Sequence, residues 1–138
     1  MNEFIFSDIF IGQEAEFKKV FIEDDVLNFI KISGDRNPLH LDNDYASRTE
    51  FGGIIIQGML SASLFSALVG MYLPGKYCLY LSQDIQFRKP ARIKDELTIR
   101  GRVVNKVDAL KILEIETTIL NQKKEEVVSG VARVRVIK

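Results

Sequence analysis

The chain has 138 residues, 46% of them hydrophobic and 28% charged, which suits one compact domain over residues 1–138 and excludes a disordered chain. Nineteen Lys plus Arg offset nineteen Asp plus Glu, so no global positive field draws in nucleic acid or an anionic membrane. One Cys and one His exclude an intrachain disulfide and a Cys/His zinc site, and no metal centre is expected.

The opening residues, Met1 to Asp8, begin with an acid and break their apolar run with Ser7 and Asp8. No signal peptide is readable there, and with the lone thiol of Cys78 this predicts a cytoplasmic setting. A strand is expected from Gln13 to Phe21. A helix follows from Asp24 or Asp25 through Ser33, with Val26, Leu27, Phe29 and Ile30 on its apolar side, acids in its first turn and Gly34 as its stop. Pro38 then forbids helix, because it lacks an amide hydrogen and forces Asn37 into extended geometry. One of Asp42, Asn43 and Asp44 caps a short helical turn through Tyr45 and Arg48.

Phe51 to Gly75 carries no charged residue, long enough on paper to span a bilayer. Gly52, Gly53 and Gln57 interrupt its first third, and Ser61, Ser63 and Ser66 recur before Pro74 ends it. The helical part, Gly58 to Leu73, is about 24 Å long at about 1.5 Å per residue, short of a hydrocarbon core. It reads as a buried core helix. Beyond it the period changes to two. Leu79, Leu81, Ile85 and Phe87 alternate with polar residues, as do Leu97, Ile99 and Val103, then Leu113, Ile115, Thr117 and Ile119, then Val128, Ala132, Val134 and Val136. Short polar connectors at Val107-Asp108-Ala109 and Asn121 to Glu125 read as hairpins. The fold class is therefore α+β, an antiparallel β-sheet wrapped around a long central α-helix, since only that helix is apolar enough to cover the sheet.

The segment Ser33-Gly34-Asp35-Arg36-Asn37-Pro38-Leu39-His40-Leu41-Asp42 carries the chemistry. A stiff loop holds a carboxylate and an imidazole a few residues apart, so that both can bond one water, one taking its proton and the other passing a proton onward. Either residue alone would ordinarily be a solvated side chain or a turn cap. The pattern Asp-x-Asn-Pro-x-His, with Gly58-Met59-Leu60-Ser61-Ala62-Ser63-Leu64-Phe65-Ser66, Leu73-Pro74-Gly75-Lys76 and Gln86-Phe87-Arg88-Lys89-Pro90, resembles the (R)-specific enoyl-CoA hydratase, or MaoC-like dehydratase, family from about Phe6 to Val136.

The resemblance implies a hot dog fold and reversible addition of water to a trans-2-enoyl-CoA, giving the (R)-3-hydroxyacyl-CoA. It places Asp35 and His40 on the catalytic pair and Gly58 where a main-chain amide bonds the thioester carbonyl. A helix start offers free amides and a positive dipole end for the enolate charge that develops there. It gives Asn37 and Ser66 supporting roles, and departs from the family's usual histidine at Gln57. Leu64, Leu68 and Val69, along the helix, are expected to line the acyl tunnel. Arg88, Lys89, Arg92 and Lys94 form a cationic cluster suited to coenzyme A phosphates, with Arg88 the better planar donor, or alternatively a charged strand edge. No metal or redox cofactor is implied. The partners implied are an acyl-CoA, with an acyl-carrier-protein thioester as a rival substrate, and a second copy of the chain in a homodimer or dimer of dimers. A non-catalytic acyl-thioester-binding subunit would be expected to lack the Asp35–His40 pair, and the same loop argues against a thioesterase.

Overall fold

The computed structural model describes all residues, 1–138. The two-residue period of the second half becomes long antiparallel strands: β4 (Glu96–Val107), β5 (Ile112–Leu120) and β6 (Glu126–Val136), preceded in the chain by β1 (Glu14–Val20), β2 (Cys78–Gln83) and β3 (Gln86–Phe87). The sheet runs β1-β4-β5-β6-β2, with β3 also pairing with β6. Its inner face is built from apolar cross-strand partners, Ile99 opposite Ile119, Ile119 opposite Val128, and Leu113 opposite Val134. All five of those side chains are buried, so the register is fixed by the core itself.

The chain has four α-helices, α1 (Glu23–Ser33), α2 (Asn43–Ser47), α3 (Gly58–Ala62) and α4 (Leu64–Ala67); α1, α3 and α4 supply core residues against that face, and α2 packs on the Pro38–His40 turn. The Asp25 carboxylate accepts from the Ile22 amide at 3.1 Å and starts α1, which ends at Gly34 as its sequence predicts. Val26 and Ile30 are buried, whereas Leu27 is exposed. The central helix corrects the expectation of one unbroken run from Gly58 to Leu73. Ser63 turns its hydroxyl back onto the Leu60 carbonyl at 2.6 Å, and separates α3 from α4, the bending effect of a serine that bonds its own helix. Leu68–Tyr72 then widens to π geometry, closed by the Leu73 amide donating to the Leu68 carbonyl at 2.9 Å.

The helical path lies close to the sheet because β4 carries a glycine beneath it. A Cβ on Gly101 would sit 2.9 Å from Leu68 Cδ2. Gly130 in β6 serves the opposite edge, where a Cβ would lie 1.7 Å from the Asp84 carbonyl oxygen. No side chain fits there, so the chain between β2 and β3 lies directly against Gly130, with the Asp84 amide donating to the Val131 carbonyl at 3.0 Å.

β2 is the element whose facing differs most from its sequence pattern. Cys78 and Tyr80 stand opposite Val136 and Val134 and turn inward. Leu79 and Leu81 point outward, 49% and 47% exposed. A shift of one residue in phase exchanges the two faces of a strand, and the pairing shift between Tyr80 and Ser82 restores Ile85 to a half-buried position. Burial pushes the Cys78 thiol up, and it raises the Tyr80 phenol to about 12 with the charge of Cys78 as the second cause. No helix is long and apolar enough to cross a membrane.

Candidate active site

The loop after α1 is held by its own short polar side chains. The Ser33 hydroxyl accepts from the Asp35 amide at 3.2 Å, Asp35 Oδ1 accepts from the Asn37 amide at 3.1 Å, and Asn37 Oδ1 accepts from the Leu39 amide at 3.0 Å. These are the turn-forming bonds that Asp, Asn and Ser offer in place of helix. Pro38 opens a single 3-10 turn, Pro38–His40, and Asp42 caps α2 by accepting from the Tyr45 amide at 3.0 Å. Asn37 therefore supports the loop and does not line the cavity described below.

A second segment locks the imidazole. The Ile55 amide donates to the Leu39 carbonyl at 3.2 Å, while the Ile55 carbonyl lies 2.8 Å from His40 Nδ1. A carbonyl can only accept, so Nδ1 carries a proton and Nε2 of the neutral ring is left as an acceptor. That Nε2 faces Asp35 Oδ2 at 3.7 Å, too long for a direct hydrogen bond. It is a good base for a triangle whose apex is a water bonded to both atoms. The imidazole is only 11% exposed and the carboxylate 43%, so the pair is sheltered on the histidine side and open on the aspartate side. Arg92 steadies the segment from the sheet side, its guanidinium donating to the Ile54 carbonyl at 3.1 Å and to the Phe51 carbonyl.

Asp35, His40 and Gly58 line one cavity of about 430 Å³, with Ile56, Phe87, Val127 and Val128 among its apolar walls. Gln57 and Ser61, both buried, are also in its wall. Gly58 is the first residue of α3, and Gln57 before it gives no side-chain cap to the helix. Arg88 and Lys89 stand at the rim. Arg88 Nε donates to the Ser129 hydroxyl at 3.1 Å, and Lys89 Nζ pairs with Glu125 at 2.7 Å. The hydrogen bond from Lys89 is the first cause that holds the Glu125 carboxyl below its ordinary value, followed by one from Asn121.

Other sequence-predicted positions fall elsewhere. Leu64, Leu68 and Val69 do not line this cavity. Leu68 and Val69 are fully buried, Leu68 in the core cluster of Phe65, Leu97 and Ile99 and Val69 in that of Leu73, Val103 and Ile115. Ser66 lies on a separate depression with Phe29, Met59 and Tyr80. Of the cationic cluster, Arg92 is committed to the Phe51–Ile54 carbonyls, and Lys94 is exposed outside the cavity wall. Sequence reasoning missed the Ile55 carbonyl, which no residue type announces, and the cavity walls Ser61, Val127 and Val128. Phe87, read as one of the alternating apolar positions of a strand, has its ring 53% exposed at the cavity wall.

A sheet wrapped on a helix, with a carboxylate–imidazole pair facing a helix start across a mostly apolar cavity, defines the hot dog hydratase class. The MaoC-like domain matches residues 9–125, and the chain belongs to that family. It is 40% identical over 125 residues to the (R)-specific enoyl-CoA hydratase of Aeromonas caviae, covering 91% of this chain and 93% of that protein. It is 37% identical to the 3-hydroxybutyryl-CoA dehydratase of Methylorubrum extorquens over 133 residues, 96% of this chain and 84% of that protein. The solved R-hydratase PhaJ1 of Pseudomonas aeruginosa superposes with a TM-score of 0.90 at 36% identity, covering 96% of this chain and 84% of that one.

Proposed function

We infer that this chain is an (R)-specific enoyl-CoA hydratase, a hydro-lyase that reversibly adds water to a trans-2-enoyl-CoA to give the (R)-3-hydroxyacyl-CoA. The observation that carries the reading is the facing of His40 Nε2 and Asp35 Oδ2 at 3.7 Å in the same cavity as Gly58. Two acceptors bind both hydrogens of one water and leave its lone pair free for the substrate. As the new C–O bond forms at Cβ, the pair takes the water's proton. The electrons of the double bond move toward the thioester oxygen, where the Gly58 amide and the positive end of the helical path hold the charge. The proton then passes from the pair to Cα, so that H and OH are added and nothing is lost. No oxidation state changes overall, and no metal or redox cofactor is part of this reading.

Arg88 and Lys89 at the cavity rim suit the phosphates of coenzyme A. We place the enzyme in the cytoplasm, in acyl-thioester metabolism, and as a homodimer or dimer of dimers, since β2 is an edge strand with Leu79 and Leu81 on its outer face. Incubation of the pure protein with crotonyl-CoA tests the reaction. Loss of the enoyl absorbance, with a product oxidised only by an (R)-specific dehydrogenase, is the expected result. Unchanged absorbance would overturn the reading.

A further inference from the structure

Two polar side chains in the cavity wall are unused by the mechanism above. Gln57 is 2% exposed and Ser61 1%, yet Gln57 Oε1, Gln57 Nε2 and Ser61 Oγ bond to no other group of the protein. Both residues line the cavity that holds Asp35 and His40. They sit one helical turn apart, the Ser61 amide donating to the Gln57 carbonyl at 3.2 Å, so their side chains share a face. Around them Ile56, Ala91, Val127 and Val128 are apolar.

Buried polar groups in folded proteins are almost always bonded, because leaving them unpaired weakens the fold. A wall meant only for an aliphatic tail gains nothing from an amide and a hydroxyl, and leucine and alanine would serve it better. The pair offers donors and acceptors but no charge. A carboxylate or ammonium on the substrate would find no counter-charge in this pair itself, so a neutral polar group suits it better. We propose that Gln57 and Ser61 form a polar subsite for an acyl group bearing a neutral oxygen substituent, a hydroxyl or ketone, next to the reacting double bond. The proposal rests on the hydratase reading, with the thioester carbonyl at Gly58. Gln57 adjoins that glycine in the chain, so the substituent belongs one or two carbons beyond the alkene.

The test compares isosteric substrates. trans-2-Pentenoyl-CoA and trans-2-hexenoyl-CoA are each paired with the thioester whose terminal methyl is replaced by hydroxyl, and kcat/KM is measured for all four with crotonyl-CoA alongside. In at least one pair the hydroxylated member is preferred by about tenfold or more. Gln57→Leu abolishes or inverts that preference, and Ser61→Ala reduces it. Should Gln57→Leu fail to fold, the Ser61→Ala result carries the comparison alone. Equal or aliphatic-favouring values in both pairs, with the thioesters hydrated, would overturn the polar subsite and leave the hydratase reading standing. Failure to hydrate any of the five thioesters would overturn both.

Discussion

His40 Nδ1 and the carbonyl oxygen of Ile55, fifteen residues apart in sequence, stand 2.8 Å from one another. This contact sets the tautomer of the imidazole. The chain contains one histidine, so its ring nitrogens can be observed without assignment ambiguity. We predict that nitrogen NMR on the neutral protein shows a protonated Nδ1 and an unprotonated Nε2. A neutral ring protonated at Nε2 would contradict the geometry.

If Asp35 and His40 act on one water, as the proposed reaction has it, their losses should not add. We expect Asp35→Asn to lower crotonyl-CoA turnover by about 100-fold to 10,000-fold, the general acid-base range, with folding retained, as its side chain is 43% exposed. His40→Gln should do the same, and the double variant should be scarcely slower than either. Near wild-type turnover in Asp35→Asn would remove this loop from the reaction.

The cavity, and not the helix interior, should set acyl length. Val128→Ala enlarges a wall beside the site and should shift the preferred enoyl-CoA toward longer chains, since each accommodated CH₂ contributes about 0.8 kcal/mol. Leu68→Ala should instead cost about 2–5 kcal/mol of stability, measured by denaturant unfolding, and leave the length profile unchanged. The opposite pattern, with length altered by Leu68→Ala alone, would place the tail deeper along the helix.

Lys89, proposed to meet a coenzyme A phosphate, is paired with Glu125, which would compete with that phosphate for it. Its carboxyl titrates below the ordinary value of 4.5, first because Lys89 hydrogen-bonds it. A depressed carboxylate contributes stability above its unfolded pKa and loses it as pH falls through the folded one. Glu125→Gln should therefore make acid unfolding slightly less steep below pH 4.5, a small effect for an exposed pair. It should also lower KM for enoyl-CoA at low salt by freeing the ammonium. A KM that rises would mean that the pairing positions Lys89 for binding.

The outer face of β2 should be an interface. Light scattering is expected to give about twice the chain mass of 15.7 kDa, and Leu79→Lys with Leu81→Lys should shift the protein toward monomer. A wild-type mass of one chain across micromolar concentrations would dismiss the dimer.

The long strands were legible from their alternation, because β4, β5 and β6 each have one face in the core and one toward solvent. The active-site loop was legible too, since Asp35, Asn37, Pro38 and Asp42 each do there what their chemistry favours locally. β2 was not, as alternating Leu and Tyr are apolar on both sides and the facing depends on pairing with β6. Nor was the cavity floor. Whether Leu68 lines a tunnel or plugs it depends on Gly101 opposite, a relationship between residues far apart in the chain. The segmentation of the central helix likewise turns on one hydroxyl, Ser63, choosing the Leu60 carbonyl over solvent.

The Arg92 guanidinium, bonded to the Phe51 and Ile54 carbonyls, braces the segment whose Ile55 carbonyl meets the imidazole. The imidazole is oriented by a carbonyl that every amino acid possesses, so the tautomer does not depend on which side chain stands at 55. The support given by arginine at 92 does depend on its side chain. A lysine there would bring one ammonium where two directed N–H donors reach two carbonyls. The orientation of the His40 ring thus leans on a residue outside the cavity wall.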